Sequence, residues 1–154
     1  MQKISENITY LEAIHSATAK RKGLDNTPNA DQLDNMYRTA DFIFQPLRLW
    51  VGGPIKINSF FRSVAVNRAV GGTSRSQHCK GQALDLDDVY GYKTNAEMFM
   101  YIKEHLDFDQ LIWEFGTNTN PNWIHVSYVS AKENRNRVLK AVREEGKTIY
   151  KIMN

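Results

Sequence analysis

The sequence predicts a single α+β domain in which N-terminal helices pack on a small, mainly antiparallel sheet. Three observations predict it. Apolar residues recur at three- and four-residue steps from Asn29 to Leu47, which is helical spacing. From Ile55 onward short alternating runs take over (IKINSFF, QALDLD, QLIWEF, WIHVSY), the period-two spacing of half-buried strands. Helices gathered ahead of strands, with no internal repeat, give an α+β arrangement rather than a βαβ one. At 154 residues and 42% hydrophobic, the chain can bury one core without cross-links and is too apolar to stay disordered.

A short first helix is expected to end in the loop KRKGLDNTPNA, rich in Gly, Asn, Asp and Pro. The second helix carries Leu33, Met36, Tyr37, Ala40, Ile43, Phe44 and Leu47 as one stripe, with Pro28 and Asp31 suited to its start. Gly52-Gly53-Pro54 ends it. IKINSFF is the first strand, and the shorter VAVNRAV leads to a break at Gly71-Gly72. QALDLD sends Ala83, Asp85 and Asp87 to one face and Gln82, Leu84 and Leu86 to the other. Thr94 and Asn95 can cap a helix through NAEMFMYIKEHL. In QLIWEF, Ile112 and Glu114 share a face opposite Leu111, Trp113 and Phe115; in WIHVSY, Trp123, His125 and Ser127 share one opposite Ile124, Val126 and Tyr128. RVLKAVREEGKTIYKI is expected to be a hairpin turning at Glu145-Gly146. Residues 1–28 are read as an N-terminal extension and 129–154 as a basic C-terminal segment of the same domain.

The N-terminus lacks the apolar core of a signal peptide, and no stretch approaches a membrane span, so the product is expected in the cytoplasm as synthesised. A net charge of +3, with basic residues gathered toward the C-terminus, reads as a solvated face; no nucleic acid is expected as a partner, and the protein is expected to be a monomer. A polyanion such as a bacterial wall suits that charge equally. The single cysteine, Cys79, excludes an intramolecular disulfide and a cysteine-rich zinc site, so any metal must come to histidine and carboxylate.

His78 in a loop, Asp85 on the strand after it and His125 on a late strand form such an inventory. Catalytic zinc takes three His and carboxylate ligands and keeps a fourth position for water. A solvated loop histidine and a surface carboxylate are the alternative reading, but Asp85 lies among Ala83, Leu84 and Leu86, where an ionised carboxylate needs a cation or strong hydrogen bonds.

The pattern Ser76-x-His78-x-x-Gly81-x-Ala83-x-Asp85, followed by Trp123-x-His125-x-Ser127, resembles the zinc D-Ala-D-Ala carboxypeptidase-like peptidases of the hedgehog/DD-peptidase fold. Asn58-Ser59-Phe60-Phe61-Arg62-Ser63, with Asn67 and Val70-Gly71-Gly72, is similar to a further motif of that family, and the segment ahead of it looks like the phage-type branch.

The resemblance implies that His78, Asp85 and His125 bind one zinc ion, which makes water nucleophilic at neutral pH. It implies that Arg62 stabilises an oxyanion or holds a substrate carboxylate. Many relatives carry an acid three positions before the last histidine; here Asn122 stands there, so Glu114 is the candidate general base. Ser76 and Gln77 are candidate substrate contacts, and Ser127 a candidate support for a ligand. Phe61 replaces the family's usual tyrosine. The implied activity is hydrolysis of peptide bonds in peptidoglycan stem peptides, as a DD-carboxypeptidase or endopeptidase. Such an enzyme without a leader fits a phage or prophage endolysin released by a holin, or a virion component. A catalytically inactive zinc-binding module, which this fold also provides, and a virion structural protein are the competing readings.

Overall fold

The computed structural model describes residues 2–153. Two very short strands, β1 (Lys3–Ser5) and β2 (Ile8–Thr9), pair antiparallel and precede two short helices, α1 (Tyr10–Ala13) and α2 (Ala17–Lys22). The expected short helix is therefore two helices behind a small hairpin. Ile4, Ile8 and Ala13 are buried in the main core. Phe61 N donates to Ala13 O, and Asn26 bonds Ile14 O, Phe61 O and Ser63 N, so the segment from Ala13 to Asn26 braces the chain around Arg62.

Helix α3 (Ala30–Thr39) starts at a capping box: Asn29 Oδ1 accepts from Gln32 N and Gln32 Oε1 accepts from Asn29 N, both at 2.8 Å. It runs through a π turn (Ala40–Phe44) into α4 (Gln45–Val51). Pro46 lies in the first turn of α4, and the widened turn before it accommodates a residue that has no N–H to give to the regular ladder. Gly52, at φ 79°, ends the run.

Six strands form one sheet in the order β3 (Lys56–Ser59), β4 (Ala83–Asp87), β6 (Trp123–Ser127), β5 (Gln110–Glu114), β7 (Arg137–Glu144), β8 (Lys147–Ile152). All neighbours are antiparallel except β5 and β7. The fold is thus α+β with a mainly antiparallel sheet. Helix α5 (Val64–Ala69) occupies the VAVNRAV segment, capped by Ser63 Oγ. Helix α6 (Asn95–His105) begins at a Thr94–Glu97 capping box. The β7–β8 hairpin turns at Glu145 and Gly146, both with positive φ, as a tight turn matched to strand twist requires.

One sheet face packs on the helices: Leu84, Leu86, Leu111, Trp113, Ile124 and Val126 join Met36, Ile43, Phe44, Leu47, Met98, Phe99 and Ile102 in one core. Strict alternation therefore leaves Asp85, Glu114 and His125 on the opposite face. Phe115 departs from its expected face. Its φ of 57° breaks the alternation, and its ring packs on Ile112, Leu139 and Ala141, the side that carries Glu114.

Candidate metal centre

Asp85 and His125 are direct partners in the β4–β6 ladder, and His125 Nδ1 lies 3.0 Å from Asp85 Oδ1. His78 arrives from a 3₁₀ turn (Gln77–Lys80) capped by Ser76, whose Oγ accepts from His78 N and whose backbone oxygen accepts from Cys79 N. The rings of His78 and His125 stand edge to face, 5.2 Å apart. One nitrogen or oxygen from each of His78, Asp85 and His125 lies within 4.8 Å of the others. The three residues could hold a metal ion.

The hydrogen bonds of His78 decide its tautomer. Its Nδ1 is 2.7 Å from the Phe60 carbonyl, which can only accept, so Nδ1 carries the proton and Nε2 carries a lone pair. That Nε2 is buried, has no hydrogen-bond partner and lies 3.2 Å from Asp85 Oδ2. Two lone pairs therefore face one another in a buried place, an arrangement that repels unless a cation lies between them. Burial holds the His78 imidazole below its usual pKa despite the nearby carboxylate, which keeps it neutral. Asp85 is held well below the usual carboxylate range: burial opposes its charge, but the two histidines outweigh burial. A neutral imidazole, an ionised carboxylate and a second imidazole are the donor set of a zinc site.

The turn that carries His78 is clamped by α3. Gln32 Nε2 donates to Cys79 O (3.1 Å), Asn35 Nδ2 to Lys80 O (2.9 Å) and Thr39 Oγ1 to Gly81 O (3.1 Å), so one helix face holds three successive carbonyls. Gly81 makes this approach possible, since its φ is 75° and a Cβ there would stand 2.5 Å from Gln32 O. On the other side, Arg62 N donates to His78 O. The Arg62 guanidinium is near enough to disfavour a charged His78, and its Nε is buried without a hydrogen-bond partner.

Glu114 lies one strand beyond His125 on the same face and is 7% exposed. Burial pushes its carboxyl up to about 7, with His125 pulling down and Asp85 pushing up. Asn122 N donates to the backbone oxygen of Glu114, so the residue at the position of the missing acid is next to Glu114 across the strand pair, exposed where Glu114 is buried. The other candidates have structural partners. Ser76 Oγ caps the 3₁₀ turn, Gln77 Nε2 donates to Asp109 Oδ2 (2.9 Å), and Ser127 Oγ accepts from Gln110 N (3.0 Å). Cys79 is buried and lies outside the cluster. Asp109, which the sequence reading missed, is 2% exposed and accepts from both Gln77 and Arg135. An open groove of about 500 Å³ lined by Leu11, Ile14, His15 and Leu24 includes none of these residues.

A family model for Peptidase M15 matches residues 6–127, about four-fifths of the chain. The chain belongs to the Peptidase M15 family. All three candidate ligands, Arg62 and Glu114 lie inside the matched span of this M15 peptidase, whereas the β7–β8 hairpin lies outside it. No curated protein matches the chain. M15 peptidases are zinc enzymes, and membership supports a peptidase acting on peptidoglycan-type substrates. Among the described residues, no helix is long and apolar enough to cross a membrane.

Proposed function

We propose that this M15 peptidase is a zinc-dependent hydrolase of peptide bonds in peptidoglycan stem peptides, acting as a DD-carboxypeptidase or an endopeptidase. The reading is carried by the lone pairs of His78 Nε2 and Asp85 Oδ2 facing each other at 3.2 Å. His78, Asp85 and His125 would hold the ion, and zinc bound there supplies a Lewis acid that activates water at neutral pH and polarises a carbonyl. The Phe60 carbonyl keeps the His78 lone pair aimed at the site. Glu114, with a pKa near 7, takes a proton from the attacking water at a carboxylate oxygen and delivers it to the departing amine. Arg62, with an unpartnered buried Nε, offers a planar fork of donors to the oxygen that becomes anionic or to a substrate carboxylate. Gln77, its amide nitrogen held by Asp109, keeps its carbonyl oxygen to offer to a peptide N–H, and Ser76 adds a hydroxyl beside it. Ser127 supports His125 by tying its strand to β5. A lysis role for a phage or prophage, reached through a holin or a virion, fits this chemistry.

The inactive-module reading draws on Asn122, which cannot move protons. Glu114, beside it on the ladder, answers that objection with a carboxylate of suitable pKa. The test is release of amines from purified peptidoglycan by zinc-loaded, chelator-treated and Glu114→Gln protein, with zinc content measured in each. Only the zinc-loaded wild type is expected to release amines, while Glu114→Gln still holds zinc. Stoichiometric zinc without release from any wall type would replace the hydrolase with the binding module.

A further inference from the structure

The β7–β8 hairpin lies beyond the family match, yet its register extends the site's sheet face outward. Glu114 pairs with Ala141 across β5 and β7, and Ala141 pairs with Tyr150 across β7 and β8. Directly paired residues share a face, so Glu114, Ala141 and Tyr150 form one row on the side that carries the metal cluster. At a spacing of about 4.8 Å per strand, the Tyr150 Cα is roughly 10 Å from that of Glu114. Ala141, fully buried, is the residue between them in the row. Ile112 and Leu139 extend this floor, with Phe115 packed on it.

Tyr150 is 55% exposed, so the core does not account for its orientation. The register alone sets its side chain on the face of Glu114 and the metal cluster; burial, followed by the negative charges of Glu114 and Asp85, raises the pKa of its hydroxyl. A phenol in that place stays protonated at neutral pH and is a neutral donor. Arg62 follows β3 at one edge of the sheet, and Tyr150 belongs to β8 at the other.

We propose that Tyr150 is a substrate-contacting residue of the peptidase: its phenol donates a hydrogen bond to a carbonyl or carboxylate oxygen of the bound peptide, while its ring borders the apolar strip of Ile112, Leu139 and Ala141. The C-terminal hairpin is then one wall of the active site. A peptide crossing the sheet face is held at one side by Arg62 and at the other by Tyr150.

This inference rests on the hydrolase reading, and the two are separable by experiment. Hydrolysis of a defined stem peptide and equilibrium binding of a phosphinate analogue of it would be measured for wild type, Tyr150→Phe and Ile152→Ala. Ile152 is on the same strand and face, 73% exposed and opposite Leu139, and controls for disturbance of the hairpin. Tyr150→Phe is expected to lose about tenfold in kcat/KM and in analogue affinity. Its zinc content and Tm stay at wild-type values, as does the activity of Ile152→Ala. Wild-type kcat/KM in Tyr150→Phe, or an equal loss in Ile152→Ala, overturns the role of the phenol and leaves the hydrolase standing. A wild-type protein that neither cleaves nor binds overturns both.

Discussion

Replacing Glu114 with glutamine is expected to stabilise the metal-free protein above neutral pH while removing its activity. The side chain is 7% exposed and burial carries its pKa from an ordinary 4.5 to about 7. Between those values the folded chain keeps a proton that the unfolded chain releases, so stability falls as pH rises through this window, and the contribution of this group is fully lost above the folded pKa. At about 1.4 kcal/mol per tenfold, the gap corresponds to about 3 kcal/mol. Glutamine keeps the shape without the charge. In a domain of this size the difference amounts to about 6–12 °C in Tm. Thermal unfolding of chelator-treated wild type and Glu114→Gln, followed by circular dichroism from pH 5 to 8.5, reads it directly. The variant's advantage should be small at pH 5, grow through pH 7 and level off above it. With zinc bound the advantage shrinks, because a nearby cation favours the carboxylate. A difference that does not vary with pH, or a variant less stable at pH 8, would refute the reasoning.

The clamp on the His78 turn predicts that Thr39→Val and Gln32→Leu weaken zinc binding about tenfold while costing only about 1 kcal/mol each in metal-free stability, read by calorimetric titration and urea unfolding. Gly81→Ala combines a left-handed φ of 75° with contact on Gln32 O, and is expected to cost more than about 3 kcal/mol, seen as a lower urea midpoint. Asp109 is held below its usual pKa because hydrogen bonds from Arg135 and Gln77 outweigh its burial, so its stabilisation is present above about pH 4 and is lost as pH falls through the depressed value. Asp109→Ala should therefore destabilise by about 1–2 kcal/mol at pH 7, with the gap to wild type closing in acid.

The site was legible where one side of a strand is buried without exception. In β4 and β6 the large apolar residues alternate with polar ones, which sets Asp85 and His125 opposite the core face of their own strands; the register then brings them and Glu114 onto one face. The Glu145-Gly146 turn was legible because few residues accept two successive positive φ values. β1 and β2 were not, since strands of three and two residues are too short to show a period. The polar residues Gln32, Asn35 and Thr39 read locally as the wet side of a helix, because the carbonyls they hold lie more than 40 residues away. Asp109 is similar: Gln77 and Arg135 are 32 and 26 residues distant, and no local pattern announces either bond. The parallel pairing of β5 with β7, which sets Tyr150 in one row with Glu114, is likewise a matter of topology.

The most direct test of the central claim is X-ray absorption at the zinc edge of protein loaded with one equivalent, compared with Asp85→Asn. Two histidines and a carboxylate predict a first shell of nitrogen and oxygen near about 2.0 Å, with no sulfur contribution, and loss of stoichiometric zinc in the variant. A sulfur scatterer near about 2.3 Å would move the ion to Cys79, and zinc retained unchanged by Asp85→Asn would remove it from this cluster; either result contradicts the site described.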